Sequence, residues 1–104
     1  MITLVASRIE AIQNACRRHG VARLEVFGSA ASGEKFDDST SDIDFLVTFP
    51  PDRDLGPWLA EYFDLREELG QALNKPIDLV MSGAISSALF RKQLDQSREL
   101  IYAG

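Results

Sequence analysis

Histidine and cysteine are almost absent from this chain of 104 residues, which contains one of each. The single cysteine, Cys16, excludes an internal disulfide. Its place on the apolar stripe of an amphipathic helix predicts a small core residue rather than a nucleophile. The single histidine, His19, falls at the end of the same helix, where a capping or surface position is expected. Neither residue is therefore predicted to act in catalysis.

The chain also lacks an excess of positive charge and a long hydrophobic run. Its net charge is −5 and its apolar fraction is 45%, which is typical of a globular protein without the basic surface that binds nucleic acid by releasing counterions. Neither templated polymerisation nor strong direct nucleic-acid binding is expected. No stretch approaches the length of a membrane span, and no signal-peptide pattern opens the sequence. We therefore expect a cytoplasmic protein with no membrane partner.

The length predicts one domain, spanning residues 1–104, with a single modest core. Such a domain is short for an enzyme that must also recognise a second large substrate. We therefore expect a partner protein to supply part of the working surface.

A pair of carboxylates opens a predicted buried strand near the middle of the chain. Asp42 and Asp44 flank Ile43 and are followed by the apolar run 45–47. Because side chains alternate between the two faces of a strand, both carboxylates point the same way. Two like charges held side by side repel unless a cation lies between them, and hard oxygen ligands suit magnesium. The pair therefore predicts a magnesium site.

A run of small residues lies just before this strand. Gly28 and Ser29 follow the strand candidate 24–27 and open a segment that ends at Gly33. Small side chains let backbone amides approach an anion closely, and a helix or turn that opens there directs its N–H groups at phosphate. Ser29 adds a hydroxyl donor. The segment predicts a site for nucleotide phosphates.

A third carboxylate, Asp78, interrupts the hydrophobic run 76–81. An unpaired buried carboxylate costs several kcal/mol, so Asp78 must lie beside a cation or at an exposed strand end. The metal predicted at Asp42 and Asp44 is the obvious partner.

Together, Gly28–Ser29, the run Ser41–Val47 and Asp78 resemble the nucleotidyltransferase superfamily related to polymerase beta, in its minimal, MNT-type members. The resemblance covers nearly the whole chain and implies an α+β fold, a small mixed β-sheet with helices packed on one side. Two departures stand out. The family loop commonly carries an arginine where this chain has Ser32, and twelve residues separate Ser29 from Asp42 here, more than is usual in the family.

The resemblance also implies a reaction and a partner. The enzyme would transfer a nucleoside monophosphate, most often AMP from ATP, to an acceptor hydroxyl. Asp42, Asp44 and Asp78 would hold Mg²⁺ and act in catalysis, while Gly28 and Ser29 would bind the nucleotide. Minimal members resemble the antitoxins of HEPN-type RNase toxins, which they bind and can modify by adding AMP to a tyrosine. ATP or another NTP, a HEPN-type protein and a hetero-oligomer are thus implied.

Two functions stay open from the sequence. The first is an adenylyltransferase antitoxin. The second is an MNT-fold antitoxin that neutralises its partner by contact alone, with catalysis weakened by Ser32. Transfer to an antibiotic or another small molecule fits poorly, because there is no second domain to form a substrate pocket.

Periodicity predicts the element order helix, strand, strand, helix, strand, helix. The first helix should end near His19, strands should lie near 23–27, 42–49 and 76–81, and a long helix should lead into the turn 74–76. The long helix is interpreted as carrying a core stripe of Leu55, Trp58, Leu59, Tyr62, Phe63, Leu69 and Leu73. The final helix is expected to place on one face Phe90, Leu94 and Ile101.

Overall fold

The computed structural model describes residues 1–33, 42–84 and 87–104. Within them the helices are α1 (Thr3–Ser7), α2 (Ile9–Arg18), α3 (Ser29–Ser32), α4 (Ala60–Leu73) and α5 (Ala88–Ser97). The strands are β1 (Arg23–Phe27), β2 (Ile43–Thr48), β3 (Ile77–Met81) and β4 (Glu99–Ala103). No helix in these three ranges is long and apolar enough to cross a membrane.

The strands form one mixed sheet in the order β3-β2-β1-β4. Strand β1 is antiparallel to both β2 and β4, whereas β2 and β3 are parallel. The register pairs Phe27 with Asp44, and Asp44 with Asp78. Paired residues on adjacent strands point to the same face, so these three side chains lie side by side at one end of the sheet. The prediction of a small mixed sheet in an α+β fold is confirmed.

One face of the sheet packs against helices and forms the main core. The alternating residues Leu24 and Val26 of β1 meet Leu65 and Leu69 of α4 in this core, and all four are buried. Cys16 of α2 is buried in the same cluster, and burial raises the pKa of its thiol to about 12. A thiol with so high a pKa is inert at neutral pH, as expected for a core cysteine.

The opposite face of the sheet carries a smaller apolar cluster, in which Phe27 and Leu46 are buried and Val80 packs against them. Asp44 and Asp78 share this face, because Asp44 pairs with Phe27 and Asp78 pairs with Asp44. We call it the carboxylate face.

His19 ends α2 as its C-cap residue, and its backbone N–H donates to the carbonyl of Ala15. Its imidazole lies between two carboxylates of α4, with Nδ1 3.4 Å from Glu61 and Nε2 3.7 Å from Glu68. Arg18 also pairs with Glu68 at 2.7 Å. The capping prediction for His19 is confirmed, and the cap also helps to join α2 to α4.

Side chains of α4 cover the outer edge of β3. Arg66 Nε donates to the carbonyl of Ile77 at 3.1 Å, and the Tyr62 hydroxyl donates to the carbonyl of Leu79. An exposed strand edge is a template for pairing with another chain. These two side chains therefore block strand addition at this edge.

The expectation that Ile101 lies on the final helix is wrong. Helix α5 ends at Ser97, and Ile101 is a buried residue of β4, which pairs with β1. The register shifts between Leu24 and Glu25 at a bulge-like irregularity. Such an irregularity breaks the two-residue alternation that identifies a strand in a sequence, so Ile101 was instead assigned to one helix face with Phe90 and Leu94.

The predicted core stripe of the long helix is also wrong in part. Leu69 and Leu73 are buried, but Trp58 is 94% exposed and Phe63 is 50% exposed. Helix α4 begins only at Ala60, and both Trp58 and the next residue have φ of 57°. This left-handed backbone interrupts the helical periodicity, and the indole lies in solvent. The side chains of Phe90 and Leu94 lie outside the described part of the structure.

Replacing Leu65 with alanine should destabilise the fold by about 2–5 kcal/mol, because the side chain is fully buried and its loss leaves a cavity. Leu89→Ala is the matched control, since Leu89 on α5 is 67% exposed, and it should change stability by less than about 0.5 kcal/mol. Urea unfolding measures both. Equal losses in the two variants would contradict this assignment of the core.

Candidate active site

Gly28 forms a sharp turn between β1 and α3. Its φ of 69° and ψ of −150° are disfavoured for residues with a side chain. A Cβ atom at this position would lie 2.7 Å from Oδ2 of Asp44. Glycine is therefore required here for two reasons, the backbone conformation and the close approach of the turn to the carboxylate.

Helix α3 begins at Ser29, directly after this turn, and is a single turn long. The amides of Ala31 and Ser32 both donate to the carbonyl of Gly28 at 3.1 Å. Ala31 is buried against the sheet, as is its neighbour Ala30. Small residues are thus needed in this segment for packing as well as for the turn. Of the two possibilities that the sequence left open after Gly28, a helix or a turn, the structure has a short helix.

The structure brings together two of the three carboxylates that the sequence singled out. Asp44 and Asp78 are register partners, and their side chains are in hydrogen-bond contact. Asp42 is exposed just before β2. Burial raises the pKa of Asp44 to about 6, with further contributions from the negative charges of Asp78 and Asp42 and from the hydrogen bond with Asp78. Ser41 lies outside the described residues.

These residues fit magnesium in their donor chemistry. Across 1–33, 42–84 and 87–104, no group of three or more Asp, Glu, His or Cys side chains is arranged as a complete metal site. Magnesium does not require one, because it usually binds through one or two carboxylates together with waters and substrate phosphates. Asp44 and Asp78 provide such a pair, and a divalent cation beside them would stabilise the ionised form of Asp44, which burial and then the charge of Asp78 disfavour.

A contact from the C-terminal part of the chain was not predicted from the sequence. The backbone N–H of Gly28 donates to Oγ of Ser97 at 3.2 Å. Ser97 is the last residue of α5, so this hydrogen bond joins the start of β4 to the turn at the carboxylates. No spacing or motif in the sequence pointed to it.

A buried ion cluster on the carboxylate face was missed as well. Glu25 of β1 is only 4% exposed, and its carboxylate pairs with Nε of Arg23 at 3.0 Å and Nε of Arg98 at 3.3 Å. The signal was present in the sequence. A glutamate inside the apolar run 24–27 must find a cation if that strand is buried.

The model of the nucleotidyltransferase domain family matches residues 9–101. This range includes the Gly28 turn and all three carboxylates. The chain belongs to the nucleotidyltransferase family. The resemblance of its motifs to that family is confirmed, and so is the prediction that it is a nucleotidyltransferase enzyme.

Individual nucleotidyltransferases resemble the chain over almost all of its length. The protein adenylyltransferase MntA of Thermococcus cleftensis is 35% identical to it across 98% of this chain and 99% of its own. A solved structure of a protein inferred to be a minimal nucleotidyltransferase has 33% identity and a TM-score of 0.71, and covers 91% of this chain and 90% of its own.

A Shewanella oneidensis MNT antitoxin, solved in complex with a tri-AMPylated HEPN toxin, shares the fold at 20% identity. The TM-score is 0.64, and the match covers 95% of this chain and 72% of the other.

Gly28→Ala should abolish nucleotidyl transfer, because the new methyl group would lie where the Asp44 carboxylate now packs. Gly33→Ala is the matched control. Gly33 also has a positive φ of 78°, but a Cβ atom there would have no neighbour within 4 Å. Both variants should lose about 1–3 kcal/mol of stability through backbone strain, whereas only Gly28→Ala should lose transfer. Comparable activity in the two variants would contradict the role of the Gly28–Asp44 contact.

The stability of the metal-free protein should depend on the ionisation of Asp44. Its pKa rises from an ordinary 3.8 to about 6 on folding, so in this interval the folded chain binds more protons than the unfolded chain. The Asp44 contribution therefore lowers the free energy of unfolding as pH rises through about 6. Asp44→Asn removes that contribution, so the variant should gain stability relative to wild type as pH rises.

Urea midpoints with a chelator at about pH 4.5 and about pH 7.5 measure this difference. Magnesium added at the higher pH should stabilise wild type more than Asp44→Asn. A constant difference between the two proteins at both pH values would count against the raised pKa.

Proposed function

We propose that this nucleotidyltransferase is a magnesium-dependent protein adenylyltransferase that transfers AMP from ATP to a hydroxyl group of a HEPN-type toxin, and so acts as its antitoxin. The observation that carries the proposal is the 35% identity to a protein adenylyltransferase over nearly the full length of both chains. The shared fold with an MNT antitoxin bound to an AMPylated HEPN toxin supports the class of partner.

In this proposal the Gly28 turn binds phosphate and the carboxylates bind magnesium. Gly28 and Ser29 bind the outer phosphates of ATP, and the close approach of Gly28 to Asp44 keeps those phosphates near the carboxylate. Asp42, Asp44 and Asp78 provide oxygen ligands for Mg²⁺. When bound, magnesium would neutralise the negative charge of the triphosphate and of the leaving pyrophosphate.

Asp78 is the carboxylate that we assign to the acceptor side of the site. Asp78 lies on β3, Asp44 lies on β2, and the Gly28 turn follows β1. Because the sheet order is β3-β2-β1, Asp44 lies between Asp78 and the turn. A phosphate held at Gly28 and an acceptor hydroxyl near Asp78 would thus lie on either side of Asp44. This order along the sheet suits transfer between two substrates that meet at one carboxylate.

The acceptor is a protein rather than a small molecule. We propose that residues 1–104 form one domain, in which the site lies at the end of a single sheet and takes its acceptor from a partner protein. A bound partner protein would supply the missing wall and the hydroxyl group together. The working unit is therefore a hetero-oligomer of the enzyme and its toxin.

Contact-only neutralisation is the second candidate, and one observation favours it. Ser32 ends α3, where related loops commonly carry an arginine, and α3 has no basic residue. A weaker hold on the triphosphate would leave an antitoxin that still binds its partner. With radiolabelled ATP, the adenylyltransferase would transfer labelled AMP to the partner, whereas the contact-only antitoxin would leave the partner unlabelled.

Asp78→Asn should eliminate transfer of label from ATP to the cognate HEPN-type partner in the presence of magnesium, while the complex between the proteins should still form. Asp64→Asn, an exposed carboxylate on α4, is the matched control and should label the partner at the wild-type rate. A neighbouring reading frame with an R-x4-6-H motif would identify the partner. Autoradiography and size-exclusion chromatography measure labelling and binding. Silencing of the partner without any label from the wild-type protein would favour the contact-only antitoxin.

A further inference from the structure

We propose that Arg98 is a phosphate-binding residue of the nucleotide site, which supplies the positive charge that α3 lacks. This inference rests on the proposed nucleotide site at Gly28 and Asp44 and adds one residue to it. Arg98 lies between α5 and β4, far from Gly28 in sequence, and no motif in the chain pointed to it.

The sheet register places Arg98 on the carboxylate face. Glu25 and Phe27 are two residues apart on β1, so their side chains lie on the same face of the sheet. Phe27 pairs with Asp44 on the neighbouring strand β2, which makes this the carboxylate face. The Nε atom of Arg98 lies 3.3 Å from Glu25, so its side chain lies on this face as well. The adjacent residue, Glu99, pairs with Val26 of β1.

Arg98 and Asp44 thus flank β1 near the same end of the sheet. Two inter-strand spacings, about 10 Å, separate their backbones. The extended side chain of Arg98 and a triphosphate bound at Gly28 can together span the distance between the backbones of Arg98 and Asp44. The side chain of Arg98 is 39% exposed, so an anion can reach it from solvent.

A second contact holds Arg98 close to the phosphate turn. The preceding residue, Ser97, accepts the backbone N–H of Gly28 at 3.2 Å. The backbone at residues 97–98 is therefore fixed directly against the turn that would bind the phosphates. Because its backbone is already held in place, Arg98 loses little conformational entropy when it binds a nearby anion.

The charge balance at Glu25 lets Arg98 change partners. Removing the cation from a buried carboxylate usually costs several kcal/mol. Glu25, however, is also paired with Arg23 at 3.0 Å, so its charge would stay compensated if Arg98 turned toward a phosphate.

Binding of ATP and of AMP to the full chain, each with magnesium, tests the proposal by calorimetry. Arg98→Gln should weaken ATP binding about tenfold or more, the loss of one charge-assisted hydrogen bond, and AMP binding much less, because AMP lacks the outer phosphates. Arg98→Lys should recover part of the ATP affinity. Arg17→Gln is the matched control, since it removes one positive charge from an exposed position on α2, which packs on the opposite face of the sheet, and it should leave ATP binding within about threefold of wild type.

The outcomes separate this inference from the proposed function. Wild-type protein that binds no ATP would overturn both. ATP binding that is equal in wild type and Arg98→Gln, or that falls equally in Arg98→Gln and Arg17→Gln, would overturn the role of Arg98 and leave the proposed function standing. Thermal melting of all variants checks that each is folded.

Discussion

The close approach of the Gly28 turn to the Asp44 carboxylate is the constraint on which the rest of the site depends. The turn can come so near only because residue 28 has no side chain and accepts a positive φ. Register then fixes the remaining positions, since Phe27 pairs with Asp44 and Asp44 with Asp78. One glycine and two strand pairings therefore bring together a turn, two carboxylates and an apolar neighbour.

Burial and charge repulsion both disfavour the ionised form of Asp44. The packing that brings Asp44 close to Gly28 also removes it from water and sets it against Asp78, and both effects raise its pKa. The fold thus holds a carboxylate in an environment that disfavours its charge. Such strain is common where a site is organised for a ligand, because the ligand supplies the compensating charge that the protein leaves out.

The sequence predicted this central part of the site because the relevant patterns are local. Asp42 and Asp44 show the two-residue period of a strand, and Gly28 follows an apolar run directly, so neither needs a distant contact to be recognised. Strand β4 could not be found in this way, because its pairing with β1 shifts in register and blurs the alternation. The contacts of Ser97 and Arg98 depend on that same strand. Trp58 was misplaced because a left-handed backbone just before α4 is invisible to helical periodicity.

The hydrogen bond between Gly28 and Ser97 also bears on the order in which the molecule is assembled. It joins residues that are 69 positions apart in sequence, and closing so long a segment of chain has a large entropic cost before any contact is gained. The pairings of β2 with β1 and with β3 join residues closer in sequence, so we expect them to form first and to bring Asp44 and Asp78 together early. The turn would be fixed only when β4 adds to the other side of β1. A nascent or partly unfolded chain would then hold its acidic residues in place before its phosphate turn, and competence for catalysis would be acquired last.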